Sequence, residues 1–248
     1  MEHIDLKNDY FFKINIEKEK LLTIIENLDN CKWIRNGTGK SAFKLGMSQK
    51  KKGIYEISKV IDNKVVFEEN CRQRHVVSKY NKKKFLMDLK EFNDIIYSSD
   101  IMTILTNYFN GEPFVTKVEI LHSEYDCNFN QELPKQMWHI DYPKEQFYKN
   151  KKFIKLFIPL CDVTEENGCT KIIKGSRENL PKDYKFSPKI NEARFNDEYI
   201  FSKYSEKDLI NVTSKFGEAI LVRTDGFHKG GFVKKGYRTM VIVEYNLC

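Results

Sequence analysis

Phe153-Ile-Lys-Leu-Phe-Ile-Pro-Leu-Cys-Asp-Val-Thr-Glu-Glu-Asn-Gly-Cys-Thr-Lys-Ile-Ile-Lys-Gly-Ser-Arg177 reads as a strand, a turn, a short strand and a second turn. The reversal falls at Glu166-Asn167-Gly168, where Asn and Gly tolerate positive φ, and Gly175-Ser176 closes the second strand. Working outward, Gly217 to Arg223 is another strand pattern, leading through Thr224-Asp225-Gly226-Phe227 to His228. Gly230-Gly231 and Gly236 mark a loop before Tyr237-Arg-Thr-Met-Val-Ile-Val-Glu-Tyr245, the last strong strand. On the other side, Phe114 to Ser123 opens the strand-rich region.

Between these lies Lys135-Gln-Met-Trp-His-Ile-Asp-Tyr-Pro143, an extended segment on its composition: Trp138 and Tyr142 favour strands, and Pro143 ends pairing. In a strand, residues two apart share a face, so His139 and Asp141 point one way and Ile140 turns into the other layer. With His228, 87 residues beyond Asp141, they make two imidazoles and a carboxylate. That is the set that holds Fe(II) on one face and leaves the opposite coordination positions open. Each residue also has a plainer reading. A His beside an Asp is commonly a solvated hydrogen-bonded pair, His228 in its Gly-rich loop suits a turn, and Arg238 at a strand start suits a surface charge.

These elements, in this order, resemble the phytanoyl-CoA dioxygenase family of Fe(II)- and 2-oxoglutarate-dependent oxygenases, the likeness running from about Phe114 to Tyr245. The resemblance implies a mainly β fold: a double-stranded β-helix (jelly roll, cupin-like) core with N-terminal and flanking α-helices. It implies that His139, Asp141 and His228 are the metal ligands and catalytic centre, and that Arg238 anchors the distal carboxylate of 2-oxoglutarate through its planar fork. Relatives add a polar partner for that carboxylate, and Thr170 and Lys155 are the candidates here. The implied chemistry consumes O2 and 2-oxoglutarate, releases succinate and CO2, and hydroxylates a small-molecule substrate. With Asp141 present, hydroxylation is favoured over halogenation, for which related enzymes lose the carboxylate. Desaturation, cyclisation and epimerisation stay open at the same centre. So do a barrel that uses no 2-oxoglutarate and a catalytically silent ligand- or metal-binding barrel.

The bounding facts agree. A chain of 248 residues buries a sizeable core and fits one domain, with 1–112 as helical and hairpin support and 113–248 as the jelly-roll core. No stretch approaches a membrane span, and Met1 to Lys7 lacks the apolar core of a secretory signal, so a cytoplasmic location is expected. Cys31, Cys71, Cys127, Cys161, Cys169 and Cys248 lie without a close pair motif, which suggests neither a zinc knuckle nor a disulfide framework.

The net charge of +7 invites a nucleic-acid reading, but Lys50 to Lys52, Lys82 to Lys84 and Lys149 to Lys152 are short, separated runs with no recognition motif beside them. No nucleic-acid partner is expected. A positive field suits 2-oxoglutarate, a dianion, and an anionic substrate. Asn36-Gly-Thr-Gly-Lys-Ser41 ends like a phosphate-binding loop, but the required earlier Gly is Ile34, and the segment reads as a surface turn.

Upstream, Ile16 to Leu28 has apolar residues at helical spacing, and Ile54 to Val60 with Val65 to Glu68 forms a hairpin around Asp62-Asn63. Lys83 to Asn110 holds two helices broken near Ser98-Ser99-Asp100, whose side chains suit the N-cap of the second. His3, His75 and His122 have no ligand-like context. The segment 178–214, rich in Lys, Asp, Asn and aromatics and without a long strand pattern, is expected either as a lid over the pocket or as a cover on the outside of the core.

Overall fold

The computed structural model describes residues 10–29, 33–35, 49–51, 54–56, 58–61, 64–67, 73–78, 86–124, 137–141, 153–182 and 194–247. His3, the Asn36–Ser41 turn, the Lys82–Lys84 and Lys149–Lys152 runs, Asp62-Asn63 and four of the cysteines (31, 71, 127 and 248) lie outside these residues.

Among the described residues the strands are β1 (Phe11–Asn15), β2 (Trp33–Arg35), β3 (Gln49–Lys51), β4 (Ile54–Glu56), β5 (Ser58–Ile61), β6 (Lys64–Phe67), β7 (Gln73–Ser78), β8 (Pro113–Glu124), β9 (Phe153–Pro159), β10 (Thr170–Ile173), β11 (Leu209–Val212), β12 (Glu218–Val222), β13 (His228–Gly230) and β14 (Tyr237–Leu247). The helices are α1 (Lys18–Asp29), α2 (Lys90–Ile96), α3 (Ser99–Phe109) and α4 (Asp197–Phe201). The large sheet runs β1-β12-β9-β14-β8-β7-β2 and the small one β11-β10-β13, every recorded pair antiparallel. The hairpin expected around Asp62-Asn63 is β5 paired with β6; its first arm is shorter than the sequence suggests, because Ile54–Glu56 pairs with Gln49–Lys51 instead.

Strand alternation divides the core into layers. On β9, Ile154, Leu156 and Ile158 face away from the small sheet and pack with Leu21, Ile24 and Leu105 of α1 and α3. Phe157 points to the opposite side, where Ile220, Val222 and Met240 of the large sheet meet Ile172 and Val212 of the small one. β9 therefore reads as a near-continuous apolar run because both its faces are covered. A third layer, Trp138, Ile140, Ile173, Ile200 and Phe227, lies on the outer face of the small sheet. Two facing antiparallel sheets with helices on one flank are the double-stranded β-helix expected above, and each fully buried apolar side chain contributes roughly 1.5–3 kcal/mol.

The helices follow their sequences. In α3 the buried residues Ile101, Ile104, Leu105, Tyr108 and Phe109 recur at helical spacing, and Asn110 ends the helix in the left-handed region with φ 57°. Ser98 is the N-cap, but its hydroxyl makes no capping bond. The end of α2 is tied to the sheet by the buried Tyr245 hydroxyl, which donates to the Ile96 carbonyl at 2.7 Å. Gly217 N-terminal to β12 and Gly175 after β10 adopt positive φ, matching their reading as strand ends.

Gly168 and Gly231 cross where the turn after β9 meets the loop after β13. Gly231 N–H donates to the Cys169 carbonyl at 2.9 Å, and a Cβ on Gly168, at φ +88°, would stand 2.5 Å from the Gly231 carbonyl oxygen. A backbone atom cannot swing aside as a side chain can. Gly168→Ala is therefore expected to destabilise the fold by on the order of 2 kcal/mol or more, read from the midpoint of urea unfolding.

Candidate metal centre and co-substrate cavity

The first ligand candidate is placed by a single cross-strand pair. His139 and His228 exchange both backbone hydrogen bonds, each 2.9 Å, so their side chains leave the backbone on the same face. The rings stand 4.2 Å apart between centroids with 50° between planes. The expected Gly-rich loop at His228 is in fact the short strand β13, paired with β10. Asp141 joins from the same chain segment, its amide donating to the Thr224 carbonyl at 2.9 Å, while Ile140 packs outward as the alternation requires.

The three side chains converge. Their candidate ligand atoms all lie within 4.8 Å of one another. His228 Nε2 is 3.2 Å from Asp141 Oδ2, and His139 Nε2 is 3.9 Å from Asp141 Oδ1. The other ring nitrogens are occupied: His139 Nδ1 sits 2.9 Å from the Met137 carbonyl and His228 Nδ1 3.0 Å from the Gly226 carbonyl. A carbonyl only accepts, so both Nδ1 atoms carry a hydrogen, and Nε2 is the ring atom that each histidine turns toward Asp141. That is the orientation a metal ligand needs.

Electrostatics act strongly on the same cluster. Burial, and then the positive charge His228 can carry, push His139 well below its ordinary value of 6.5, so its imidazole is neutral. Burial alone would raise Asp141, but Lys155 and His228 outweigh it and hold the carboxyl well below the usual carboxylate range. Burial likewise works against the Lys155 ammonium, and its ion pair with Asp141 more than compensates, leaving its pKa raised.

One cavity gathers the predicted residues: His139, Asp141, Lys155, Thr170, His228 and Arg238 all line it, together with Lys117, Glu119 and Arg194. Arg238 is 4% exposed, its Nη1 has no hydrogen-bond partner, and burial drops its pKa to about 10. Thr170, on β10 opposite Gly230, is 7% exposed on the cavity wall. Lys155 lies apart from Arg238. It pairs with Glu244, six residues further along β14 and so roughly 20 Å away along the strand, and its ammonium meets Asp141 instead.

Two residues escaped the sequence reading. Ser123 is directly opposite Arg238 across β8 and β14, hence on the same face, and its buried hydroxyl has no hydrogen-bond partner. Only the strand register reveals it. Arg194 precedes Phe195, whose backbone pairs with Trp138, and this pairing brings a residue of the 178–214 segment to the cavity wall. Within that segment Leu209–Val212 is a strand of the small sheet, too short and too mixed to show a pattern. His75 and His122 are on β7 and β8, in the large sheet.

Two facing sheets with a His-Asp-His cluster at one wall, and in the same cavity a guanidinium whose Nη1 has no partner among the described residues, define a metal-dependent oxygenase of the cupin-like class. The model for the phytanoyl-CoA dioxygenase (PhyH) family matches residues 27–234, and the chain belongs to that family, an enzyme of the 2-oxoglutarate-dependent non-haem iron oxygenases. Iron and 2-oxoglutarate are the cofactor and co-substrate of the class, with O2 as oxidant.

Solved structures share the fold at low identity. The non-heme alpha ketoglutarate dependent carbocyclase SnoK from nogalamycin biosynthesis is 13% identical, with 99% of this chain and 85% of that one covered and a TM-score of 0.62. EvdO2 from Micromonospora carbonacea var. aurantiaca, complexed with 2-oxoglutarate, is 10% identical, covering 100% and 91% at 0.58. HygX from Streptomyces hygroscopicus, with nickel, 2-oxoglutarate and hygromycin B bound, is 9% identical, covering 98% and 84% at 0.56. No curated protein sequence matches the chain. None of the described helices is long and apolar enough to cross a membrane.

A depressed His139 has a consequence for metal-free protein. Below pH 6.5 the unfolded chain takes up a proton at this position that the folded chain refuses, so the contribution of His139 to stability is whole above 6.5 and lost as pH falls. Between pH 7 and 5, wild type is expected to lose stability faster than His139→Gln, by up to about 1.4 kcal/mol per pH unit, in urea titrations with a chelator present.

Proposed function

We propose that this enzyme hydroxylates a small, anionic substrate, with His139, Asp141 and His228 as the iron ligands and Arg238 as the anchor of 2-oxoglutarate. The observation that carries the reading is the Arg238 guanidinium, buried without an acidic partner in the cavity that the three ligand candidates line. An isolated buried cation is costly, and a carboxylate from the co-substrate would remove the cost. Ser123, opposite it, offers a hydroxyl donor to the same carboxylate, and Thr170 lies on the neighbouring wall.

Bound iron, with O2 and 2-oxoglutarate, supplies the oxidising power, and the co-substrate leaves as succinate and CO2. The chain's own residues do the rest. The carbonyl partners of His139 and His228 engage each Nδ1–H and so present both Nε2 atoms to the metal. Lys155 holds the second oxygen of Asp141 and steadies the carboxylate as a ligand. Asp141 also fills the position that a halide would need, which supports hydroxylation. Phe157, Met240 and Ile242 give the cavity an apolar flank that excludes water from the reacting centre.

The sign of the substrate follows from the lining, in which Lys117, Lys155, Arg194 and Arg238 outnumber Glu119 and Asp141. An anionic group is drawn to such a cavity even after one dianion has bound. Asp141 is balanced by Lys155 and Glu119 by Lys117, 2.9 Å away, so with Arg194 and Arg238 the lining keeps an excess of cations over carboxylates.

Under nitrogen, Fe(II) with 2-oxoglutarate is expected to give a weak visible charge-transfer band. Arg238→Ala should raise the Kd for 2-oxoglutarate about 10- to 100-fold and Ser123→Ala about 2- to 10-fold, as loss of a charged and a neutral hydrogen bond. A wild type without the band is a silent barrel or an enzyme that needs no 2-oxoglutarate. Candidate anionic metabolites are then screened for succinate release, and product mass decides the outcome: a gain of one oxygen for hydroxylation, loss of two hydrogens for desaturation or cyclisation, no change for epimerisation.

A further inference from the structure

We propose that Asp197 is the positioning residue for the two histidines, gripping from outside the small sheet the two chain segments that present His139 and His228 inside it. This rests on the reading of His139, Asp141 and His228 as metal ligands.

The pair His139–His228 is an isolated bridge. Two backbone hydrogen bonds here and a third from the Asp141 amide to the Thr224 carbonyl fix which residues face each other, but a contact this short leaves twist and shear at the Trp138 and Lys229 ends weakly held. The rings inherit any such movement, because each Nδ1 is tied to a carbonyl of its own segment, Met137 or Gly226. Nothing in those two contacts fixes one ring relative to the other.

The outer face supplies the missing tie. Strand alternation sends Trp138 and Lys229, the residues next to the two histidines, outward. There Asp197 Oδ1 accepts from the Trp138 indole Nε1 at 2.5 Å and from the Lys229 ammonium at 2.6 Å. The ammonium also lies 5.2 Å from the centre of the Trp138 ring. One oxygen atom thus joins the segment before His139 to the segment after His228.

Asp197 is itself delivered from a fixed point. It opens α4, whose N-cap Asn196 accepts from the Tyr199 amide, and the preceding Phe195 exchanges two backbone bonds with Trp138, 3.0 and 2.9 Å. The carboxylate is half exposed whereas the Lys229 side chain is 5% exposed, so water can reach the ammonium once Asp197 is removed, and the variants are expected to fold.

The test uses the full chain and Co(II) alone, whose d–d absorption reports both affinity and ligand geometry, beside circular dichroism and thermal unfolding. Asp197→Ala should weaken Co(II) binding at least tenfold and alter the band shape in protein that remains folded. Asp197→Asn, which keeps an acceptor oxygen, should recover part of both. Asp197→Leu combined with Lys229→Met replaces the ion pair with apolar side chains, restores packing and should still show the weakened binding. Should Asp197→Ala lower only the unfolding temperature while Co(II) affinity and spectrum stay at wild-type values, the proposal is overturned and Asp197 is a stabilising contact alone. A wild type that binds no Co(II) is a different failure: it removes the ligand reading, and this inference with it.

Discussion

The reciprocal backbone pairing of His139 with His228 is the constraint on which the remaining geometry depends. Antiparallel partners exchange hydrogen bonds and throw their side chains to one face, and the period of two then fixes every neighbour. Asp141 follows His139 inward; Trp138, Ile140 and Lys229 go outward. A slip of one residue in the 137–141 segment would turn His139 and Asp141 out of the cavity and leave His228 alone there. The pairing is guarded on both flanks, by β10 against β13 and by Phe195 against Trp138. The two glycines that cross beside it, Gly168 and Gly231, let the chain turn close enough for this to happen.

Charge placement is the second organising fact. A fold concerned with stability alone would pair its buried cations or leave them out, since a lone buried charge costs several kcal/mol. Here Lys155 is matched by Asp141, whereas on Arg238, equally interior, burial outweighs the thiols of Cys169 and Cys161, and one guanidinium nitrogen has no acceptor among the described residues. The asymmetry has a direction. The balanced pair sits with the candidate ligands, and the unbalanced cation is separated from it by the apolar side chains of Phe157, Ile242 and Met240. Such a cavity is pre-organised for an anion at one end and for a neutralised carboxylate ligand at the other.

Much of this was legible in the chain. Strong periodicity gave β8, β9, β12 and β14, because these strands have a buried face of Val, Ile and Leu and are bounded by Gly, Asn or Pro. His139 and Asp141 stand out because they are separated by one residue, a spacing with a direct structural meaning; the roles of His228 and Arg238 come from the family resemblance, and the structure brings all four to one cavity. What the sequence hid depends on register or on short elements. Ser123 becomes visible only when β8 and β14 are aligned, and no local signal says which residue faces Arg238. β11 and β13 are four and three residues long, below the length at which alternation can be recognised. Lys155 is a candidate from sequence for the carboxylate that Arg238 anchors, but its partner Asp141 stands in another segment, and the strand register does not favour a place beside Arg238. The Ser98 cap failed in the opposite way: the residue type was right, yet its hydroxyl makes no bond to the helix.

The 178–214 segment shows why the expected alternatives, lid or outer cover, were incomplete. Part of it is sheet, since Leu209–Val212 pairs with β10. Another part covers the outside, where Phe195, Phe201 and Tyr204 pack around Trp138 and Phe227. Its backbone pairing at Phe195 nonetheless places the preceding residue, Arg194, on the inner wall. The same alternation that puts the histidines inside therefore carries a residue of a charge-rich segment to the wall of the site. On the proposed reading the iron centre fixes what kind of oxidation is available, and the substrate atom that meets it is chosen by side chains at that wall. Those side chains come from β8 and from this segment, whose Ile200 and Val212 fill the core while Arg194 faces the cavity.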